Sequence, residues 1–254
     1  MSRPSRARIR QSFERAASTY DSAADVQRHI CRQLAQGLPP AFSPQRLLDA
    51  GCGTGFAQAL LQKRFPVTHP LALDLSHGML QQLATDCTRL AGDIEHLPLA
   101  TKCLDLYWSS LSVQWCDLAK ALAEAHRTLR PRGQLAVASL GTQTFHELRQ
   151  AFAAVDTHRH TLAFHTPDEV KAIAQHAGFS AVDVQNKAEI AHYPDFKTLL
   201  KTVKAIGANQ LGDGRRTSLM SRSTFKQAEA AFETLRTAHG LPLTYDVIYL
   251  YGHA

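Results

Sequence analysis

Short apolar runs alternate along this chain with stretches in which apolar residues recur every three or four positions, the pattern of buried strands set between amphipathic helices. RLLDA at 46–50 reads as a strand and FAQALLQKRF at 56–65 as the helix behind it. LALD at 71–74 and SHGMLQQLATDC at 76–87, with Ser76 as N-cap, repeat the unit. TRLAGD at 88–93, LDLYWSS at 104–110 and QLAVASL at 134–140 supply three more strands, the last two flanking a helix at 118–129. Ahead of them, residues 12–38 read as one helix with Val26, Ile30 and Leu34 on its apolar face, broken by Gly37, Pro39 and Pro40.

Beyond Leu140 the rhythm loosens. A helix at 145–155 leads through HRHTLAFH to a second at 167–178, capped by Thr166 and ended by Gly178, and then to a strand at 179–193. Two more helices follow at 195–209 and 223–240, and PLTYDVIYLYGHA at 242–254 alternates as a closing edge strand. The order predicts an α/β fold: a mostly parallel seven-stranded sheet with helices on both faces. Its parts are a helical lid at 1–40, a core at 41–193 and 241–254, and a helical cap inserted at 194–240, within one structural unit.

The 254 residues suffice for a sizeable core. Five cysteines, an odd number without a C-x-x-C pair, argue against a disulfide framework and a zinc site. No apolar run approaches the roughly 18 residues of a membrane span, and no secretory segment opens the chain, so a soluble cytoplasmic protein with a short basic arm is expected. The net charge of +6 favours acidic partners. Basic tracts interleaved with aromatics are absent, which argues against nucleic acid. His158, His160 and His165 read as solvated loop residues, because no carboxylate or cysteine completes a metal site beside them.

The candidate chemistry begins at LLDAGCGTG, where Gly51, Gly53 and Gly55 alternate directly after the first strand. Glycines there answer a need for tight turning or close ligand approach, at the edge where open α/β sheets bind ligands. The spacing departs from G-x-G-x-x-G and no Walker lysine follows. Asp49 in front of the loop repels phosphate and attracts an ammonium group. Asp74, closing the second strand, is placed for a ribose diol. Asp93 and Ile94 close the third, where an acid accepts from an adenine amino group and an aliphatic chain covers the ring. Together they describe a cationic adenosine ligand without phosphate. Cys52, inside the loop, reads as a small packing residue.

With LDAGCGTG, LALDLSHGML, AGDIEHLPLA and LDLYWSSLSVQW in this order, the chain resembles the Rossmann-like class I methyltransferases. The resemblance implies S-adenosylmethionine as cosubstrate, no metal, and a cofactor set of Asp49, Gly51, Gly53, Gly55, Asp74, Leu75, Met79, Asp93, Ile94 and Ser110. Methyl transfer asks the protein to align donor and acceptor and to exclude water. An acceptor already ionised, such as a carboxylate, needs no general base but wants a guanidinium to hold it. Arg149, beyond the fifth strand, is the candidate anchor, with a solvated helix arginine as the alternative.

The segments IRQSFERAASTYDSAADVQ, LSVQWC, SLGTQTFHELRQAF, VKAIGAN and LPLTYDVIYLYG are similar to the malonyl-[acyl-carrier protein] O-methyltransferases of biotin synthesis. That resemblance implies methylation of the free carboxylate of a malonyl thioester on an acidic carrier protein, or on coenzyme A, so that fatty-acid elongation builds a pimeloyl chain. Within it, Tyr20 closes over the cofactor as part of the lid, or is a packed core tyrosine; Gln114 and Trp115 line the acyl channel. Arg215, Arg216, Arg222 and Lys226, with Lys197, Lys201 and Lys204, form a carrier-docking face, or a solvated one. A methyltransferase for a free small acid such as trans-aconitate, and a catalytically silent cofactor-binding module, are the alternative readings.

Overall fold

A computed structural model describes residues 4–153, 155, 161–206 and 221–254. Seven strands form one sheet: β1 (Arg46–Ala50), β2 (His69–Asp74), β3 (Thr88–Ala91), β4 (Leu104–Ser110), β5 (Leu129–Leu140), β6 (Ser180–Tyr193) and β7 (Leu241–His253), in the order β3-β2-β1-β4-β5-β7-β6. The first five run parallel to one another, whereas β7 runs antiparallel to both β5 and β6. The order reverses between β1 and β4, so the crevice beyond the carboxyl ends of β1, β2 and β4 is where a ligand belongs.

Helices α1 (Arg6–Ala16), α2 (Asp25–Gln36), α3 (Phe56–Arg64), α4 (His77–Gln81), α5 (Leu118–Thr128), α6 (His146–Ala153), α7 (Pro167–His176), α8 (Phe196–Ala205) and α9 (Arg222–Glu233) surround the sheet. Alternation along β4 sorts them. Leu106 and Trp108 point to a core with Ile30 and Leu34 of α2, Leu61 of α3, Phe152 of α6, Phe196 of α8 and Phe232 of α9. Tyr107 points the other way, to Leu122 and Ala125 of α5 and Val170 and Ala174 of α7, and an irregularity in register between Leu104 and Leu106 puts Leu104 on that side too. The helices of the 194–240 segment thus share the main core with α2 and α6.

Three expectations need correction. The closing strand is not at the edge: β7 inserts between β5 and β6, and its residues from Leu243 to Leu250 are all buried. The aromatic and aliphatic run Val247 to Leu250 is that of a strand covered on both faces, and the polar β6, mostly exposed, takes the edge instead. Residues 12–38 are not one helix. A 3-10 turn at Tyr20–Ala23 separates α1 from α2, where the Thr19 hydroxyl donates to Ala16 O and the Ser22 hydroxyl to Thr19 O at 2.7 Å; such local bonds compete with the helix. Helix α4 stops at Gln81, well short of Cys87. Thr166 does cap α7, in a reciprocal pair with Glu169.

Candidate cofactor site

The carboxyl ends of β1, β2 and β4 open into a cleft roofed by α1, the 3-10 turn and α2. Backbone geometry shapes its floor. Gly51, Gly53 and Gly55 have φ values of 76°, 54° and 92°, in the left-handed region that favours glycine. A Cβ on Gly51 would meet the Ser112 side chain at 2.2 Å, whereas one on Gly53 would meet nothing within 4 Å. Gly51 therefore serves packing, and Gly53 leaves its space to a ligand. The loop is pinned by Gly51 and Cys52 N–H groups donating to Leu73 O and by Gly53 N–H donating to Asp74 Oδ2 at 2.9 Å.

Asp49 is 1% exposed and its Oδ2 is buried without a hydrogen-bond partner. Burial, and secondarily the neighbouring Asp74, push its carboxyl up to about 8. A lone buried carboxylate beside a second one is costly unless a cation arrives, and among the described residues no cation pairs with either. Asp74 accepts Gly53 N–H on Oδ2 and Ser76 N–H on Oδ1 at 2.8 Å, yet burial still raises its pKa. Both acids, with Leu75, Met79, Ile94 and Ser110, stand in the cleft wall. The orphaned oxygen, the open cradle at Gly53 and the unpaired acids fit a cationic adenosyl ligand. Cys52 is buried with its thiol pKa raised by burial, which suits packing.

Asp93 is already engaged: Oδ1 accepts Glu95 N–H at 2.9 Å, and Arg6 Nε pairs with Oδ2 at 2.6 Å while its other nitrogen reaches Glu95. Two further ties cross the cleft, from Glu14 of α1 to Ser76 Oγ and Gly78 N, and from Thr54 of the loop to Asp21. Phe13 stacks edge-on to Trp115, centroids 5.7 Å apart, and lies 6.5 Å from Tyr20, so three aromatic rings close the top. Arg6, Phe13, Gln27, Arg28 and Cys31 also line the wall. Sequence reasoning missed them because α1 and α2 read only as amphipathic helices; the arginine-rich opening segment was the one available signal.

The other expected residues lie elsewhere. Gln114 is outside the cleft wall, its Nε2 donating to Leu111 O at 2.6 Å and its Oε1 buried without a partner. Arg149 is also outside the described wall. Its guanidinium donates to the carbonyls of Thr144 and Thr142, the latter at 2.8 Å, and burial lowers its pKa. Lys197, Lys201 and Lys204 form an exposed stripe on α8, and Arg222 and Lys226 are exposed on α9. Arg215, Arg216, His158 and His160 lie outside the described residues. Among the described residues no group of three His, Cys, Asp or Glu side chains is arranged to hold a metal, and no helix is long and apolar enough to cross a membrane.

Residues 48–137, which carry the floor of this cleft, match the family model described as a methyltransferase domain. Over 250 residues the chain is 72% identical to the malonyl-[acyl-carrier protein] O-methyltransferase of Dechloromonas aromatica, covering 98% of this chain and 95% of that one. The chain belongs to the malonyl-[acyl-carrier protein] O-methyltransferase family. The member from Herminiimonas arsenicoxydans is 40% identical over 94% of this chain and 92% of its own. A methyltransferase structure from Thermotoga maritima shares the fold, with a TM-score of 0.59 at 17% identity, over 96% of this chain and 99% of that one. Membership in the family accounts for the Rossmann-like sheet and for a cleft built around an acid and a glycine loop.

Proposed function

We propose that this chain transfers the methyl group of S-adenosylmethionine to the free carboxylate of a malonyl thioester carried by acyl-carrier protein, opening pimeloyl synthesis for biotin. The observation that carries the reading is the buried, partnerless Asp49 oxygen at the head of the glycine loop, in a chain of this family. When bound, the donor supplies an electrophilic methyl group. Asp49 holds its cationic methionine end, Asp74 the ribose, and Ile94 and Met79 the apolar face of the adenine. Asp93 takes the adenine amino group once Arg6 yields Oδ2. Phe13, Tyr20 and Trp115 exclude water, which keeps the in-line geometry and prevents hydrolysis.

The acceptor needs no general base, because a malonyl carboxylate is ionised near pH 7. It enters away from Asp49 and Asp74, which repel it, and so from the side of β4 and β5. Arg149 is the anchor on that side in this reading; to hold a carboxylate, its guanidinium must share or release the Thr142 and Thr144 carbonyls. The exposed lysines of α8 and the basic residues of α9 are the docking face for the acidic carrier. Esterification removes a charge that the apolar channels of chain-elongating enzymes exclude.

The test is incubation with labelled S-adenosylmethionine and malonyl-carrier protein, with the product's mass determined. A malonyl methyl ester on the carrier is expected. If a free dicarboxylic acid is methylated and the thioester is not, the assignment is wrong. Lys201→Glu together with Lys204→Glu should raise KM for the carrier more than for malonyl-coenzyme A; equal losses would remove α8 from the docking face.

A further inference from the structure

Gln27, on α2, lines the cleft, and its carboxamide oxygen is buried without a hydrogen-bond partner. An amide oxygen left so forfeits a bond it would make in water, a loss that wants an explanation. The amide's orientation is set by its surroundings: Tyr245, on β7, makes polar contact with Gln27 and in turn with Tyr193 on β6. Since the oxygen has no partner, that contact falls to the amide nitrogen, and the oxygen is the end left for a ligand.

The location narrows what the ligand is. Cys31, one turn along α2 on the same face, contacts the Ser110 hydroxyl at the end of β4 and lies within electrostatic range of Asp49. Gln27 therefore flanks the methionine side of the cleft, opposite the adenine end formed by Asp93 and Ile94 beyond β3. A carboxylate acceptor would be repelled by an amide oxygen. A sulfonium, which offers no N–H or O–H but has positively polarised carbon hydrogens, is matched by it. We propose that the Gln27 carboxamide oxygen receives the sulfonium end of S-adenosylmethionine, with Tyr245 as the positioning residue that keeps the amide nitrogen turned away. This rests on the reading that the cleft takes S-adenosylmethionine.

The proposal is tested by calorimetric titration of S-adenosylmethionine and S-adenosylhomocysteine, which share every group except the charged, methylated sulfur. Gln27→Met should weaken S-adenosylmethionine about tenfold while changing S-adenosylhomocysteine by no more than about twofold, since only the charged ligand loses a partner. Gln27→Glu should shift the ratio the opposite way, and it carries the comparison if the methionine variant fails to fold. Tyr245→Phe should move the ratio in the same direction as Gln27→Met, by less. Equal loss of both ligands, or no loss of either, overturns the proposal while leaving the donor assignment standing. A wild-type chain that binds neither ligand overturns the donor reading itself, and this inference with it.

Discussion

Asp49→Asn isolates the electrostatics of the cleft. In the empty cleft, burial and Asp74 raise the Asp49 carboxyl from its ordinary 3.8 to about 8. Between about pH 4 and pH 8 the folded chain therefore holds a proton that the unfolded chain has lost, so stability falls as pH rises across that window. Its contribution is fully present below about pH 4 and gone above about pH 8. The stability lost by pH 7 is at most about 4 kcal/mol, from 1.36 kcal/mol per unit over the interval from 3.8 to 7. Asparagine has nothing to ionise. Its variant should be more stable than wild type without ligand, with a margin that widens by about 2 kcal/mol between pH 6 and pH 8. At roughly 2–4 °C per kcal/mol for a chain of this size, a thermal melt resolves that.

The same substitution should abolish tight donor binding, because the cation is what permits Asp49 to ionise. In wild type at pH 7, binding should release close to one proton. Calorimetry in buffers of different ionisation enthalpy would show it as a slope of heat against buffer enthalpy. Asp49→Asn should flatten that slope. Buffer-independent heats in wild type, or a variant no more stable at pH 8 than at pH 6 relative to wild type, would refute the reasoning.

Two glycines of the loop should separate: Gly53→Ala, strained by about 1 kcal/mol at its positive φ but with open space around the new methyl, should lose donor affinity with a melting temperature lowered by only a few degrees, whereas Gly51→Ala, strained likewise and also driven into Ser112, should unfold at a clearly lower temperature. Arg6→Ala frees Asp93 and removes two ion pairs whose shared arginine is 48% exposed, so stability should change by no more than about 2 kcal/mol while adenosine affinity rises; an unchanged affinity by calorimetry would mean that Arg6 does not compete for Asp93. Arg149→Ala should depress turnover of malonyl-carrier protein far more than donor affinity, and an equal loss in both would leave it only its backbone contacts with Thr142 and Thr144.

Legibility followed locality. Arg46–Ala50 and Leu104–Ser110 were readable to the residue, because parallel strands covered on both faces are compact apolar runs with turn signals at their ends. Asp49 and the glycines were readable because loop geometry and charge sit within one heptapeptide. What the chain hid were features decided by distant partners. The strand at 241–253 is central only because the polar β6 pairs along it, and nothing in its own alternation reports which neighbour it has. Phe13, Gln27 and Cys31 join the cleft only because α1 and α2 fold back over the sheet, while Arg149 turns to the Thr142 and Thr144 carbonyls that its own helix approach brings near.

The charges in the cleft wall also bear on how a turn of the reaction ends. Arg6 is taken up across the cleft by Asp93 and Glu95, and Arg28 within the roof by Asp25 at 2.7 Å and Asp21 at 3.9 Å, so both guanidinium groups are neutralised. Asp49 and Asp74 have no such partner among the described residues, and the interior next to the glycine loop is left with unbalanced acid. A donor bearing both an ammonium and a sulfonium relieves that imbalance more fully than the demethylated product, which keeps only the ammonium. In the proposed reaction, methyl transfer therefore lowers the electrostatic part of the cleft's hold on the cofactor. In the empty state Asp49 keeps a proton up to about pH 8 and so stays buried uncharged, and the cation of an arriving donor displaces that proton.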